Sequence, residues 1–159
     1  MSEFSVQTFF LSKKGSQVSL ADLAKIPDDY PGHQGSIGIT VEGKEIVDSR
    51  FTCTIDVLWD QVLLMEDRYL RNGASGLDGI FDWAYSISMR KVSHGLLVIA
   101  EREGVKNSGI VVDEGEFLRE VNRAALNYYS VLIGMRENLR MRYIDMYDLV
   151  KQLELNLER

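Results

Sequence analysis

The carboxylates are the residues with the best claim to chemistry in this chain. Asp56, Asp60 and Asp67 are spaced to share one side of a helix. Paired carboxylates at such spacing serve general acid–base chemistry or bind a hard cation. The same spacing is that of a solvated helix face lying opposite an apolar stripe, and this is the expectation here. Asp78 and Asp82 flank Gly79, but a calcium loop needs more oxygen ligands at alternate positions. The chain has one cysteine, Cys53, and two histidines, His33 and His94. Neither histidine has a sequence partner at a known catalytic spacing, so both are read as exposed loop residues. Cys53 lies near a helix start with no base beside it and reads as a small buried side chain.

The remaining motifs are negative. The Gly35-Ser36-Ile37-Gly38 run lacks the spacing of a nucleophile elbow. Gly73, Gly76 and Gly79 have neither the spacing nor the Lys-Ser/Thr ending of a phosphate loop. Arg136, Arg140 and Arg142 form one basic cluster, read as cations near a helix C-terminus. Trp59 and Tyr128-Tyr129 fall on apolar stripes and read as core. Trp83 lies in a predicted loop and reads as an exposed anchor for a partner. No catalytic residue, metal ligand or cofactor is expected.

Composition sets the frame. The chain has 159 residues, of which 45% are hydrophobic and 26% charged, as in an ordinary globular domain. We expect a single domain over residues 1–159. The net charge is −6, and each third of the chain is acidic, so no basic arm stands apart. Such a surface repels nucleic-acid phosphates and favours a basic protein partner. The longest apolar run, at residues 96–100, is far short of the ~20 residues that span a bilayer, so no membrane association is expected. The N-terminus lacks the pattern of a secretion signal, and a single cysteine fits a reducing compartment. Cytoplasmic residence is the expectation.

The elements that must position these residues follow from periodicity. Alternation at residues 4–11 predicts a strand, and Ser19 an N-cap for a helix running up to Pro27. A hairpin is expected over residues 36–50, turning at Glu42-Gly43-Lys44. Leu58, Val62, Met65 and Tyr69 then recur at helical spacing, with a stop at Asn72-Gly73. Residues 73–79 read as a glycine-rich loop. Three strands follow as an antiparallel meander, with residues 96–100 buried on both faces or nearly so. Asp113 and Glu116 have capping-box spacing ahead of two helices that break near residues 138–140. The order predicts an α+β fold: an antiparallel sheet of about five to six strands, helices on one face, and a C-terminal helical pair.

The 36–48 hairpin, the Val57-Leu58-Trp59 helix, the 73–82 loop and the Glu116-Phe117 helix with Tyr128-Tyr129 form an ordered series. It resembles small bacterial immunity proteins that neutralise a cognate toxin, including those of contact-dependent growth inhibition. That resemblance implies a non-enzymatic cytoplasmic protein. The class is diverse in fold, so no functional residue carries over. The function expected is binding and occlusion of a protein partner, a basic toxin domain. The contact residues expected are Asp28, Asp29, Glu42, Glu45, Asp48, Asp78, Asp82 and Trp83, all in turns, loops or the hairpin. Two other readings stay open. One is a small enzyme or ligand-binding domain using Asp82 with Glu101 or Glu103. The other is a homodimer or larger homo-oligomer associating through the helical region 117–157.

Overall fold

The computed structural model describes residues 3–25, 33–77, 85–102 and 108–158. The alternating opening residues form β1 (Phe4–Leu11), which turns back into the short β2 (Gln17–Ser19). Ser19 is a cap, as expected: its hydroxyl accepts from the Asp22 N–H. The helix it starts is only a 3-10 turn, Leu20–Asp22, because Leu23 already takes extended backbone. The expected helix up to Pro27 is therefore corrected to one turn; residues 26–32 lie outside the described residues.

The hairpin forms as β3 (Gln34–Val41) and β4 (Lys44–Val47). Glu42 and Gly43 both have positive φ, 50° and 76°, the geometry whose twist matches two antiparallel strands. A two-residue strand, β5 (Cys53–Thr54), pairs with the start of β3. The first sheet runs β2-β1-β3-β4, with β5 also on β3, and every pairing is antiparallel. Gly35 of β3 is needed where it stands. A methyl group there would strike the Phe9 carbonyl oxygen and crowd Ile55.

α1 (Ile55–Asn72) follows, ended by Gly73 in the left-handed region with its N–H on the Tyr69 carbonyl. The stretch read as a glycine-rich loop is partly a strand, β6 (Ala74–Leu77). It pairs with β7 (Tyr85–Val92), β8 (Gly95–Arg102) and β9 (Ser108–Val112) in a second antiparallel sheet, order β6-β7-β8-β9. Glycines at 73 and 76 hid the strand; it is recruited by pairing with β7, a partner no local pattern reveals. The fold is α+β as expected. Its strands number nine among the described residues and divide into two sheets, where one sheet of five to six was expected. Residues 96–100 alternate between buried and half-buried rather than being buried on both faces, since Leu97 and Ile99 are partly open.

Asp113 caps α2 (Glu114–Met135), its Oδ1 accepting from the Glu116 N–H at 2.8 Å. A 3-10 turn, Glu137–Leu139, separates α2 from α3 (Arg140–Leu157). The helical pair and its break stand as expected. Buried apolar side chains from both sheets and all three helices form one cluster. Its centre is aromatic: Trp59 of α1 stacks on Tyr128 of α2 at 5.9 Å, and Tyr128 on Phe10 of β1 at 6.4 Å. The Trp59 indole N–H is satisfied by the buried Thr8 hydroxyl at 3.1 Å.

Two substitutions test this packing. Trp59→Ala should lower the stability read by urea unfolding by about 3–5 kcal/mol. Gly35→Ala, which adds one methyl group, should cost roughly 1–3 kcal/mol through overpacking; an unchanged midpoint would show that β1 and β3 do not approach as described.

Candidate functional site

α1 delivers its carboxylates inward. Asp56, expected on a solvated face, is 2% exposed. Its Oδ2 accepts from Arg142 Nη2 at 3.1 Å and from the Tyr143 hydroxyl at 3.4 Å, both on α3. Its Oδ1 is buried without a partner among the described residues. One turn later, Asp60 accepts from the Tyr129 hydroxyl of α2 at 2.6 Å. Burial and the like charge of Asp56 raise the Asp60 pKa, while the Tyr129 hydrogen bond and Arg142 oppose the rise. Asp67 alone behaves as a surface residue, paired with Arg71 at 2.7 Å. The expectation of a solvated face is corrected for Asp56 and Asp60. These groups face α2 and α3, which a reading of α1 alone does not show.

Glu66, which follows Met65 on α1, is also interior, 1% exposed. It accepts from Asn122 Nδ2 of α2 at 2.9 Å. At the end of α1, the Tyr69 hydroxyl donates to Glu114 Oε1 at 3.0 Å, and Lys91 of β7 approaches Glu114 Oε2 at 3.4 Å. Burial, then Glu114, push the Tyr69 phenol pKa up. From Asp60 to Tyr69 the partners on α2 run backwards, from Tyr129 through Asn122 to Glu114, so a polar seam joins two antiparallel helices.

The basic cluster is also placed differently. Arg136 sits at the α2 C-cap, but Arg140 and Arg142 open α3, and Arg142 is engaged by Asp56. His33 is buried rather than exposed: its Nε2–H donates to the Leu11 carbonyl at 2.7 Å, and its ring lies beside Phe10. His94 is exposed in the β7–β8 turn, and Cys53 is buried in β5, both as read. Tyr128, Tyr129 and Trp59 are core.

Of the expected contact residues, three come together on one hairpin. Glu42 is exposed at its tip, and its N–H donates to the Glu3 carbonyl at 2.8 Å. Glu45, exposed on β4, accepts from the Ser49 N–H at 2.9 Å. Asp48 accepts from the Arg50 guanidinium through both oxygens, Nε at 2.9 Å and Nη2 at 2.6 Å. Asp28, Asp29, Asp78, Asp82 and Trp83 lie outside the described residues, as does Glu103. Glu101 is exposed on β8.

A cleft of about 190 Å³ between β1, the Leu20–Asp22 turn and α2 is lined by Val6, Gln7, Thr8, Ser19, Leu20, Ala21, Ala124 and Asn127. None of these side chains titrates in the physiological range. Among the described residues, no three histidine, cysteine or carboxylate side chains converge to hold a metal ion. Among the same residues, no helix is long and apolar enough to cross a membrane. No protein-family model, no curated protein and no solved structure matches this chain.

The Asp56–Arg142 pair generates a direct test. Arg142 is about half exposed, so water screens part of the pair's strength. Arg142→Met should nonetheless cost roughly 1–3 kcal/mol, because it strands a charge on a buried carboxylate. Adding Asp56→Asn should recover part of the loss in a double-mutant cycle read by urea unfolding.

Proposed function

We propose that this chain is a non-enzymatic protein-binding domain, an immunity-type protein that neutralises a toxin by covering a surface the toxin needs. The observation that carries the proposal is how the carboxylates are used. Asp56, Asp60 and Glu66 each accept hydrogen bonds from α2 or α3 and so serve to join helices. Of the carboxylates that face outward, Glu42 and Glu45 stand close together on the β3–β4 hairpin, while others, among them Asp22, Glu101 and Asp148, are dispersed over other elements. The hairpin tip is held by the β1–β3–β4 ladder and by the Glu42–Glu3 hydrogen bond. A rigid edge bearing Glu42 and Glu45, in a chain of net charge −6, suits a basic partner. Complementary charge would steer the encounter, and exclusion of substrate from the covered surface would do the neutralising. Cytoplasmic residence belongs to the same proposal.

A second reading has its own observation. Met141 is 85% exposed and Leu155 58%, and they lie two heptads apart on α3. Two apolar side chains on nearly one face suit a self-associating helix, although the exposed Asp148 stands between them.

Binding to the purified product of the adjacent gene tests the first reading. The wild-type chain should associate with it, faster at low salt. Glu42→Lys should slow association several-fold at low salt, with the difference closing as salt rises and the unfolding midpoint unchanged. No association with the wild-type chain would refute it. Sedimentation of the chain alone tests the second: a monomer at all concentrations would remove it, while a dimer lost on Met141→Glu would support it.

A further inference from the structure

Glu66 and Asn122 share one hydrogen bond, and each keeps one further oxygen, Glu66 Oε2 and Asn122 Oδ1, buried without a partner among the described residues. Both leftover atoms are acceptors. An ionised carboxylate has no hydrogen to offer, so as an ion this pair would leave both atoms unsatisfied in the interior, a costly arrangement. Reversing the Asn122 amide changes nothing in that count. An amide facing a carboxylate offers one N–H toward it, and the pair remains one hydrogen short. Among the described residues, those lining the cavity beside Glu66 supply no other side-chain donor. The adjoining cavity, about 20 Å³, is walled by Ile39 of β3, by β7 and β8 through Ile87, Met89 and Val98, and by apolar residues of α1 and α2. Such a volume admits about one water molecule.

We propose that Glu66 is held in the folded protein as a neutral carboxylic acid whose Oε2–H donates to Asn122 Oδ1, closing a cyclic acid–amide pair, and that its ionisation is a switch that loosens α1 from α2. The proton enters from solvent on folding and returns to it on ionisation, with no other bond changed. The groups around Glu66 agree. Among the described residues, those that β3, β7, β8 and α2 turn to the cavity carry no charged or titratable side chain. Burial therefore pushes the Glu66 carboxyl up to about 8, with Asp67 adding a like charge and the Asn122 donor acting the other way.

The sign of the effect follows. Below the unfolded value of 4.5 both states hold the proton, and the stabilisation is fully present. As pH rises from there, the unfolded chain gives up its proton while the folded chain keeps it until about 8, so stability falls across that window. Within it, each pH unit changes the unfolding constant by up to about tenfold through this one group.

Two measurements on the full chain test the switch. The first is a carbon-13 titration of the glutamate side chains by nuclear magnetic resonance, with Glu66 assigned through its backbone connectivity. A Glu66 midpoint near 8 is expected. A midpoint in the ordinary glutamate range would overturn the proposal, because Glu66 would then be a carboxylate at neutral pH, bridged by a water in the cavity. The second compares urea unfolding of wild type and Glu66→Gln from about pH 5 to pH 9. Glutamine supplies the missing hydrogen permanently, so the ratio of the two unfolding constants should shift in favour of the variant by up to about tenfold per unit. A constant ratio across the range would also overturn it. Should Glu66→Gln fail to fold, the titration of the wild-type chain decides alone.

Discussion

A carboxyl group cannot be buried until something answers it, and α1 buries two. Asp56 and Glu66 are almost wholly removed from water, which is costly unless hydrogen-bonding partners arrive with the rest of the core. The partners come from elsewhere in the chain: Asn122 from α2, and Arg142 and Tyr143 from α3. Tyr129 performs the same service for Asp60. The direction of α2 across α1 and the return of α3 beside it are therefore constrained at named points. An arrangement slipped by one helical turn would leave these carboxyl groups unanswered.

The aromatic centre supplies adhesion that such polar contacts do not. Phe10, Tyr128 and Trp59 stack in series from the first sheet through α2 to α1, and the Tyr129 ring lies 5.8 Å from that of Tyr143 on α3. Ring stacking and area burial hold the layers together with little directional demand. The hydroxyls at the rim of this centre then select among the packings that hydrophobicity alone would permit. Tyr129 and Tyr143 serve both purposes, with rings in the core and oxygens on carboxylates of α1.

Much of the fold was legible in the sequence because it is locally encoded. The stripe from Leu58 to Tyr69, the Asp113 cap and the turn at Glu42-Gly43 each declare themselves within a few residues, and the structure has all three. What escaped depends on distant partners. β6 looked like loop because it carries glycines and exists through pairing with β7. Asp56 and Asp60 looked solvated because charge opposite an apolar stripe usually is; their partners lie on helices more than fifty residues away. Glu66 is the instructive omission. It falls four residues after Val62 and three before Tyr69, on the stripe itself, and a lone acid at a core position was the available signal of a buried polar pair. The contact residues expected on the hairpin were placed together by a local turn, whereas Asp28, Asp29, Asp78, Asp82 and Trp83 fall outside the described residues.

The lengths of the outer strands have a bearing on how the protein behaves in a crowded solution. Where the described sheets end, they end on β2, β4, β5, β6 and β9, of three, four, two, four and five residues. A foreign chain laid along any of them would find only a few consecutive backbone groups to grip, and short borders of this kind resist templated aggregation. The long strands β3, β7 and β8 have pairing strands on both sides, whereas β1 is covered by β2 only over Phe9–Leu11. The backbone best suited to strand addition is thus largely kept inside the described sheets, with residues 4–8 of β1, on the side facing β2, as the exception.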